Sequence, residues 1–336
     1  MTAALKASPA PVVLTRPAAM RAAIVTGPGT CAIREVPLPE PGPGQVRVRN
    51  SGCGVCASNL VPWAGPDWMQ FPTQPGGLGH EGWGIVDALG PDVTDLESGQ
   101  PVATLFQNSY AEYDVGDAAA VLPLPEGFEE RAFPGEPLGC AMNIFRRSDI
   151  ATGQTVAIVG AGFLGALLTR LASQAGAHVV AVSRRTFALD VARRMGAAEC
   201  IALDDRHAVR DRVQELTGGT LCERVIEATG KQGPLTLAGE LTGERGRLVI
   251  AGYHQDGPRQ IDMQLWNWRG LDVINAHERD PRAYLSGMRE GLAAVLDGTI
   301  DLEALVTHSY RLEDLGQALD DTRDRPDGFL KAVVRM

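Results

Sequence analysis

Thr155-Val156-Ala157-Ile158-Val159 runs directly into Gly160-Ala161-Gly162-Phe163-Leu164-Gly165, and the fold of the chain turns on this stretch. Four apolar residues in a row after Thr155 suit a short strand buried on both faces. The glycines that follow are spaced G-x-G-x-x-G. Between a strand and a helix they let the chain turn sharply and bring backbone N–H groups up to a pyrophosphate at the helix N-terminus. Gly160, Gly162, Phe163, Leu164 and Gly165 are therefore the first dinucleotide-binding candidates. Without that setting the same residues would be only a glycine-rich tight turn.

The residues downstream supply the setting. The pattern predicts a helix over 163–174, a strand over 178–182, a helix over 188–195 and a strand over 200–203. It continues with a helix over 207–216, a strand over 224–228, a helix over 234–241, and strands over 247–251 and 271–275. Strands alternating with helices at this spacing imply an α/β fold with a doubly wound parallel sheet, a Rossmann unit over 151–275. Upstream the character differs. Segments from Arg21 to about Leu124 are short, β-like and separated by Pro-Gly turns, and Val46-Arg47-Val48-Arg49 alternates as a half-buried strand does. A β-rich catalytic unit over 20–150, completed by 276–336, is expected, with 1–19 as a disordered extension.

The end of the second Rossmann strand selects the cofactor. A carboxylate there accepts hydrogen bonds from the ribose of NAD. Here the chain reads Ser183-Arg184-Arg185, which offers a hydroxyl and two guanidinium groups to a 2′-phosphate. NADP(H) is expected in preference to NAD(H), although two arginines can also simply solvate a helix start.

Composition narrows the partners. With 41 acidic against 31 basic residues in 336, the net charge is −10, which argues against a broad nucleic-acid or anionic-membrane footprint. No apolar run approaches the roughly 20 residues that span a bilayer. Six cysteines, too few for a disulfide framework, point to a reducing cytoplasmic setting.

Three of those cysteines bear on metal chemistry. Cys53-Gly54-Val55-Cys56-Ala57-Ser58 lies in the β-rich part, Gly79-His80-Glu81-Gly82 follows, and Cys140 stands alone before the glycine loop. A catalytic zinc takes three protein ligands, such as two thiolates and an imidazole, and keeps one position open. Cys56, His80 and Cys140 could supply that set. Cys53 and Cys56 could instead form a redox pair, and Cys140 could be a small buried hydrophobe.

In combination, the glycine loop, CGVCxS, GHE and the later cysteine resemble the medium-chain dehydrogenase/reductase superfamily, near its zinc-dependent alcohol dehydrogenase branch. The resemblance runs from Met20 onward and includes 225–230 (VIEATG) and 246–252 (GRLVIAG). It implies a GroES-like catalytic domain and one zinc per chain, held by Cys56, His80 and Cys140. Glu81 becomes a neighbour of the metal or an occasional ligand, and Ser58 the group that bonds the substrate oxygen and starts a proton relay. Thr229 and Lys331 join the cofactor contacts. A homodimer formed through the last Rossmann strand is implied as well.

Three positions depart from the family pattern. Asn59 stands where an aspartate is expected, and Val61 where a relay histidine often ends the proton path. The four-cysteine lobe of a second, structural zinc is missing from 101–113. The expected activity is hydride transfer between NADP(H) and a small or medium alcohol or carbonyl compound. An enoyl or iminium reductase, or a nicotinamide-binding protein without turnover, are the alternatives. The other histidines, His178, His207, His254, His277 and His308, are expected to be structural or superficial, with His277 able to border the active site. Trp63, Trp68, Met69, Phe106 and Tyr253 are possible pocket liners.

Overall fold

The computed structural model describes residues 17–336. The expected disordered extension falls outside the described residues over 1–16, and Ala19, its last residue, already opens the first strand.

A two-stranded antiparallel ribbon comes first, β1 (Ala19–Gly27) and β2 (Thr30–Pro37). There follow β3 (Gln45–Val55), the short helix α1 (Leu60–Ala64), β4 (Gly82–Leu89), β5 (Pro101–Thr104), β6 (Tyr113–Asp117), β7 (Val121–Pro123) and α2 (Gly135–Ser148). The middle of the chain alternates between β8 (Thr155–Val159), α3 (Phe163–Gln174), β9 (His178–Ser183), α4 (Thr186–Arg194), β10 (Glu199–Ala202), α5 (Arg206–Leu216) and β11 (Cys222–Glu227). It continues through α6 (Gln232–Leu241), β12 (Thr242–Ile250), α7 (Met263–Arg269) and β13 (Asp272–Asn275). The chain closes with α8 (Pro281–Leu296), α9 (Leu302–Leu305), β14 (His308–Arg311), α10 (Leu315–Asp324) and β15 (Ala332–Arg335).

Six strands form one parallel sheet in the order β10-β9-β8-β11-β12-β13. Its centre is β8, whose Val156 to Val159 are fully buried. The chain leaves β8 toward β9 on one side and returns to β11 on the other. The crevice above this reversal, at the carboxyl ends of the strands, is where such sheets bind ligands.

The second sheet has the order β14-β15-β3-β4-β5-β7, with β6 also paired to β3. Val46 and Val48 of β3 enter a core with Val86, Val102 and Phe106. Arg47 does not project into water as the alternation suggested. It is fully buried, with Nε 2.7 Å from Asp87 and Nη1 3.0 Å from the largely exposed Glu40, and these two carboxylates neutralise its charge. The C-terminal strand β15 pairs antiparallel with β3, with Ala332 opposite Val55. This pairing carries Lys331 into the centre of the N-terminal half.

Helix α2 bridges the two sheets and packs on α8 at very close range. A Cβ on Gly287 would lie 2.6 Å from the Gly139 carbonyl oxygen, so only glycine fits at the crossing. The approach holds Glu136 and Cys140, one turn apart on α2, in fixed positions.

Candidate metal centre and cofactor cleft

Cys56 follows β3 directly and caps a single 3₁₀ turn, Ala57–Asn59. His80 and Glu81 immediately precede β4, the antiparallel neighbour of β3. The Gly54 N–H donates to the Glu81 carbonyl (3.0 Å), locking the two segments together. A side chain at Gly54 would collide with the Glu81 carboxylate. The result is a thiol, an imidazole and a carboxylate whose ligand atoms all lie within 4.8 Å of one another: Cys56, His80 and Glu81.

The imidazole is held in one tautomer. His80 Nδ1 is 2.9 Å from the Leu78 carbonyl, which can only accept, so Nδ1 carries a proton and Nε2 is the nitrogen whose lone pair a metal would take on displacing the second proton. Ser58 Oγ is 3.4 Å from that Nε2. Asn59 acts on the same carbonyl, its Nδ2 donating to Leu78 O at 2.9 Å. The Tyr110 hydroxyl donates to Asn59 Oδ1 at 3.0 Å. An aspartate could not donate to Leu78, so the amide supports His80 indirectly through the shared carbonyl.

Cys140 is not one of the three clustered residues. Its thiol donates to Glu136 Oε1 at 3.2 Å, and burial together with the Glu136 charge pushes it well above the usual thiol range. Glu136, which no local motif marks, faces His80 from α2. Burial opposes a charge on His80, but Cys56, Glu136 and Glu81 outweigh it and lift the imidazole to about 10. Burial raises Glu136 toward its neutral form and Lys331 neutralises Glu81, so a bound cation would draw these acidic groups into their ionised, ligating forms. A thiolate, an Nε2 lone pair and a carboxylate make a donor set that fits zinc.

Lys331 is fully committed at this centre. Its Nζ lies 2.7 Å and 2.5 Å from the two Glu81 oxygens, donates to Val55 O at 3.1 Å and sits 5.0 Å from the Phe163 ring centroid. Expected among the cofactor contacts, it is the buried counter-charge of Glu81, and Phe163 of the glycine loop lies against it.

The glycine loop has the shape its spacing suggested. Gly160 adopts φ +110, and a Cβ there would lie 2.5 Å from Thr229 Cγ2. A Cβ on Gly165 would strike the Gly160 carbonyl, whereas one on Gly162 meets nothing within 4 Å. The open side at Gly162, the N-cap of α3, leaves space for a phosphate. Leu164 is half-buried behind the loop. Across the crevice, buried Glu227 accepts from Thr229 N (2.7 Å), Thr229 Oγ1 (2.5 Å) and Gly230 N (3.0 Å). Its other oxygen is 2.9 Å from His254 Nε2, and Arg259 Nε donates to His254 Nδ1 at 2.8 Å. That histidine is structural. Gln255, also unforeseen, donates to the Ser58 carbonyl at 2.7 Å and so ties the parallel sheet to the serine.

Ser183 is nearly buried at the end of β9, and Arg184 is exposed. Arg185 donates to Phe329 O at 2.6 Å, and burial with the nearby Arg325 charge pulls it down to about 10. Of the expected pocket liners, Trp63 is buried and bonded to Asp320 (3.0 Å), and Phe106 belongs to the core. Tyr253 stacks on His277, with centroids 5.0 Å apart, beside the ends of β12 and β13.

Residues 42–128 match the model for the alcohol dehydrogenase GroES-like domain, and residues 164–294 that for zinc-binding dehydrogenases. An alcohol dehydrogenase of Cupriavidus necator is 26% identical, over 95% of this chain and 99% of its own length. A 5-exo-hydroxycamphor dehydrogenase of Pseudomonas putida is 29% identical, over 89% and 94%. Among solved structures, 2R,3R-butanediol dehydrogenase from Bacillus subtilis superposes with a TM-score of 0.80 at 23% identity, over 94% and 99%. The chain belongs to the medium-chain dehydrogenase/reductase superfamily. It is an oxidoreductase of the NAD(P)-dependent alcohol dehydrogenase type, acting on a small-molecule alcohol or carbonyl compound.

Proposed function

We propose that this protein transfers hydride between NADP(H) and a small or medium alcohol or carbonyl substrate at a single zinc. The observation that carries this is the convergence of Cys56, His80 and Glu81 within 4.8 Å, with the Ser58 hydroxyl beside the imidazole. Cys56 and His80 would hold the metal with Glu81, and Glu136 would complete the negative shell from α2. When bound, zinc supplies Lewis acidity toward the substrate oxygen, and the dinucleotide gives or takes the hydride.

The side chains do the rest. Ser58 holds the proton of the substrate oxygen and passes it on, while Gln255 and the 3₁₀ turn keep its backbone in place. Val61 carries no titratable group, so the proton continues to water or to a cofactor hydroxyl. Gly160, Gly162 and Gly165 let the backbone approach the pyrophosphate. Ser183, Arg184 and Arg185 favour a 2′-phosphate, since no carboxylate stands among them. Metal analysis combined with cofactor oxidation over aldehydes, ketones and enones tests the proposal. Turnover of aldehydes or ketones that requires zinc is expected. Turnover of enones alone, or activity that survives removal of the metal, would favour a different reductase chemistry.

The chain is further read as two functional units, 20–150 with 276–336 and 151–275, and as a homodimer. In support, β13 is an outer strand of its sheet, and Trp268 of the adjoining helix α7 is 89% exposed, with Met263 and Val273 also exposed. A strand with one free edge and exposed apolar side chains beside it invites a second copy, and light scattering giving the monomer mass at micromolar concentration would refute it. A cytoplasmic location is supported by six free cysteines, and no helix among the described residues is long and apolar enough to cross a membrane.

A further inference from the structure

A cleft of about 210 Å³ opens beside the end of β9, lined by Arg185, Thr186 and Phe187 on one side and Arg325, Pro326 and Asp327 on the other. The two sides come from segments far apart in sequence. Arg325 is the left-handed C-cap of α10 (φ 51), its N–H donating to Asp321 O at 2.7 Å, and this turn faces the following residues toward the start of α4.

Among the described residues, none of Arg184, Arg185 and Arg325 has an ion-pair partner. Arg323, only two residues before Arg325, is paired with both Asp320 and Asp324. Arg185 uses one N–H on Phe329 O, and Arg325 one on Thr322 O at 3.4 Å. Their remaining donors are uncommitted. Asp327 lies on the rim, but its Oδ1 accepts from Gly328 N at 3.0 Å and it forms no ion pair. Ser183 Oγ accepts from Arg185 N at 3.3 Å, which leaves the hydroxyl proton free to donate. The like charges act on each other: burial and Arg325 lower Arg185, and burial and Arg184 lower Arg325. Cations gathered without a counter-charge are stabilised by an anion placed among them, and a phosphate monoester offers several oxygens to guanidinium forks.

We propose that Arg325 is the third guanidinium, with Arg184 and Arg185, of a receptor for the 2′-phosphate of the cofactor. This rests on the NADP(H) assignment above. The strands flanking Arg325, β14 and β15, belong to the seven-stranded sheet, whereas Arg184 and Arg185 follow a strand of the parallel sheet. A 2′-phosphate is therefore gripped from both sheets, and NADH from only one.

The test is titration of NADPH, NADH and inorganic phosphate into the wild-type protein, Arg325→Gln and Arg325→Lys, read by reduced-cofactor fluorescence and by the shift in Tm. Loss of one charge-assisted contact should weaken NADPH binding of Arg325→Gln roughly tenfold, leave NADH unchanged, and be largely restored in Arg325→Lys. Inorganic phosphate should compete with NADPH and not with NADH. Unchanged NADPH binding in Arg325→Gln, with the wild type still preferring NADPH, overturns the role of Arg325 alone. An equal loss for both cofactors means general damage and also overturns it. Arg325-dependent phosphate binding without any preference for NADPH would make the cleft a free-phosphate site and reject the cofactor assignment. A wild type that prefers NADH removes the NADP(H) assignment itself, and this inference with it.

Discussion

The two ends of the crevice carry opposite charge and differ in depth. Around His80, the acidic groups Cys56, Glu81 and Glu136 crowd into a buried space where Lys331 is the close lysine partner of Glu81. Beside β9, Arg184, Arg185 and Arg325 gather positive charge in an open cleft. Each end suits a ligand of the opposite sign. The buried end has little water to screen a lost partner, so its effects are large, whereas the open end is softened by solvent and salt.

That contrast sets the size of each expected effect. Cys56→Ser removes a soft ligand from the buried end and should lower turnover about 10³-fold or more, since the metal's charge stabilisation is worth several kcal/mol. NADPH affinity should hardly change, and an activity within tenfold of wild type would detach the cluster from the chemistry. Ser58→Ala should cost turnover about 10²–10⁴-fold, the usual worth of general acid–base assistance, again with cofactor affinity intact. Full activity across the pH range would leave the alcohol–carbonyl reaction without its proton donor.

At the open end, Ser183→Asp combined with Arg184→Gln should move the NADPH/NADH affinity ratio toward NADH by about 10–100-fold, because a carboxylate repels the 2′-phosphate. The wild-type preference should itself shrink as salt rises. Cys140→Ser sharpens the comparison within the buried end. A thiol engaged by Glu136 and Tyr284 and not by the metal should cost less than about tenfold in metal affinity, below the usual range for groups that orient ligands. A hundredfold loss would return Cys140 to the ligand set, and Glu136→Gln measured alongside should have the larger effect.

The parallel sheet was legible because each strand is a local apolar run. β8 and α3 lie where the sequence put them, at 155–159 and 163–174. β12 starts at Thr242 and not at 247, since Gly243-Glu244-Arg245-Gly246 reads as a turn and its pairing with β11 shifts register there. Helix α2 was missed because Gly135, Pro137 and Gly139 read as chain breakers. Pro137 is tolerated in the first turn, where its absent N–H has no helical partner to lose.

The site was legible only in part, for the same reason. Cys56, His80 and Glu81 sit beside motifs that can be read locally. Glu136 is four residues before Cys140 on one helix face, a spacing that could have signalled it once α2 was known. Lys331 meets Glu81 across 250 positions, through a strand register that no local pattern contains. Arg325 lies in Asp320 to Gly328, a run of charges that reads as a solvated turn.

Cys56, His80 and a carboxylate are proposed to hold one zinc on which the reaction depends. Elemental analysis of the purified wild-type protein and of Cys56→Ser, each checked for intact NADPH binding, tests it most directly. One zinc per chain in the wild type and none in Cys56→Ser is the predicted result. Two zincs, none at all, or zinc retained at full occupancy in Cys56→Ser would contradict it.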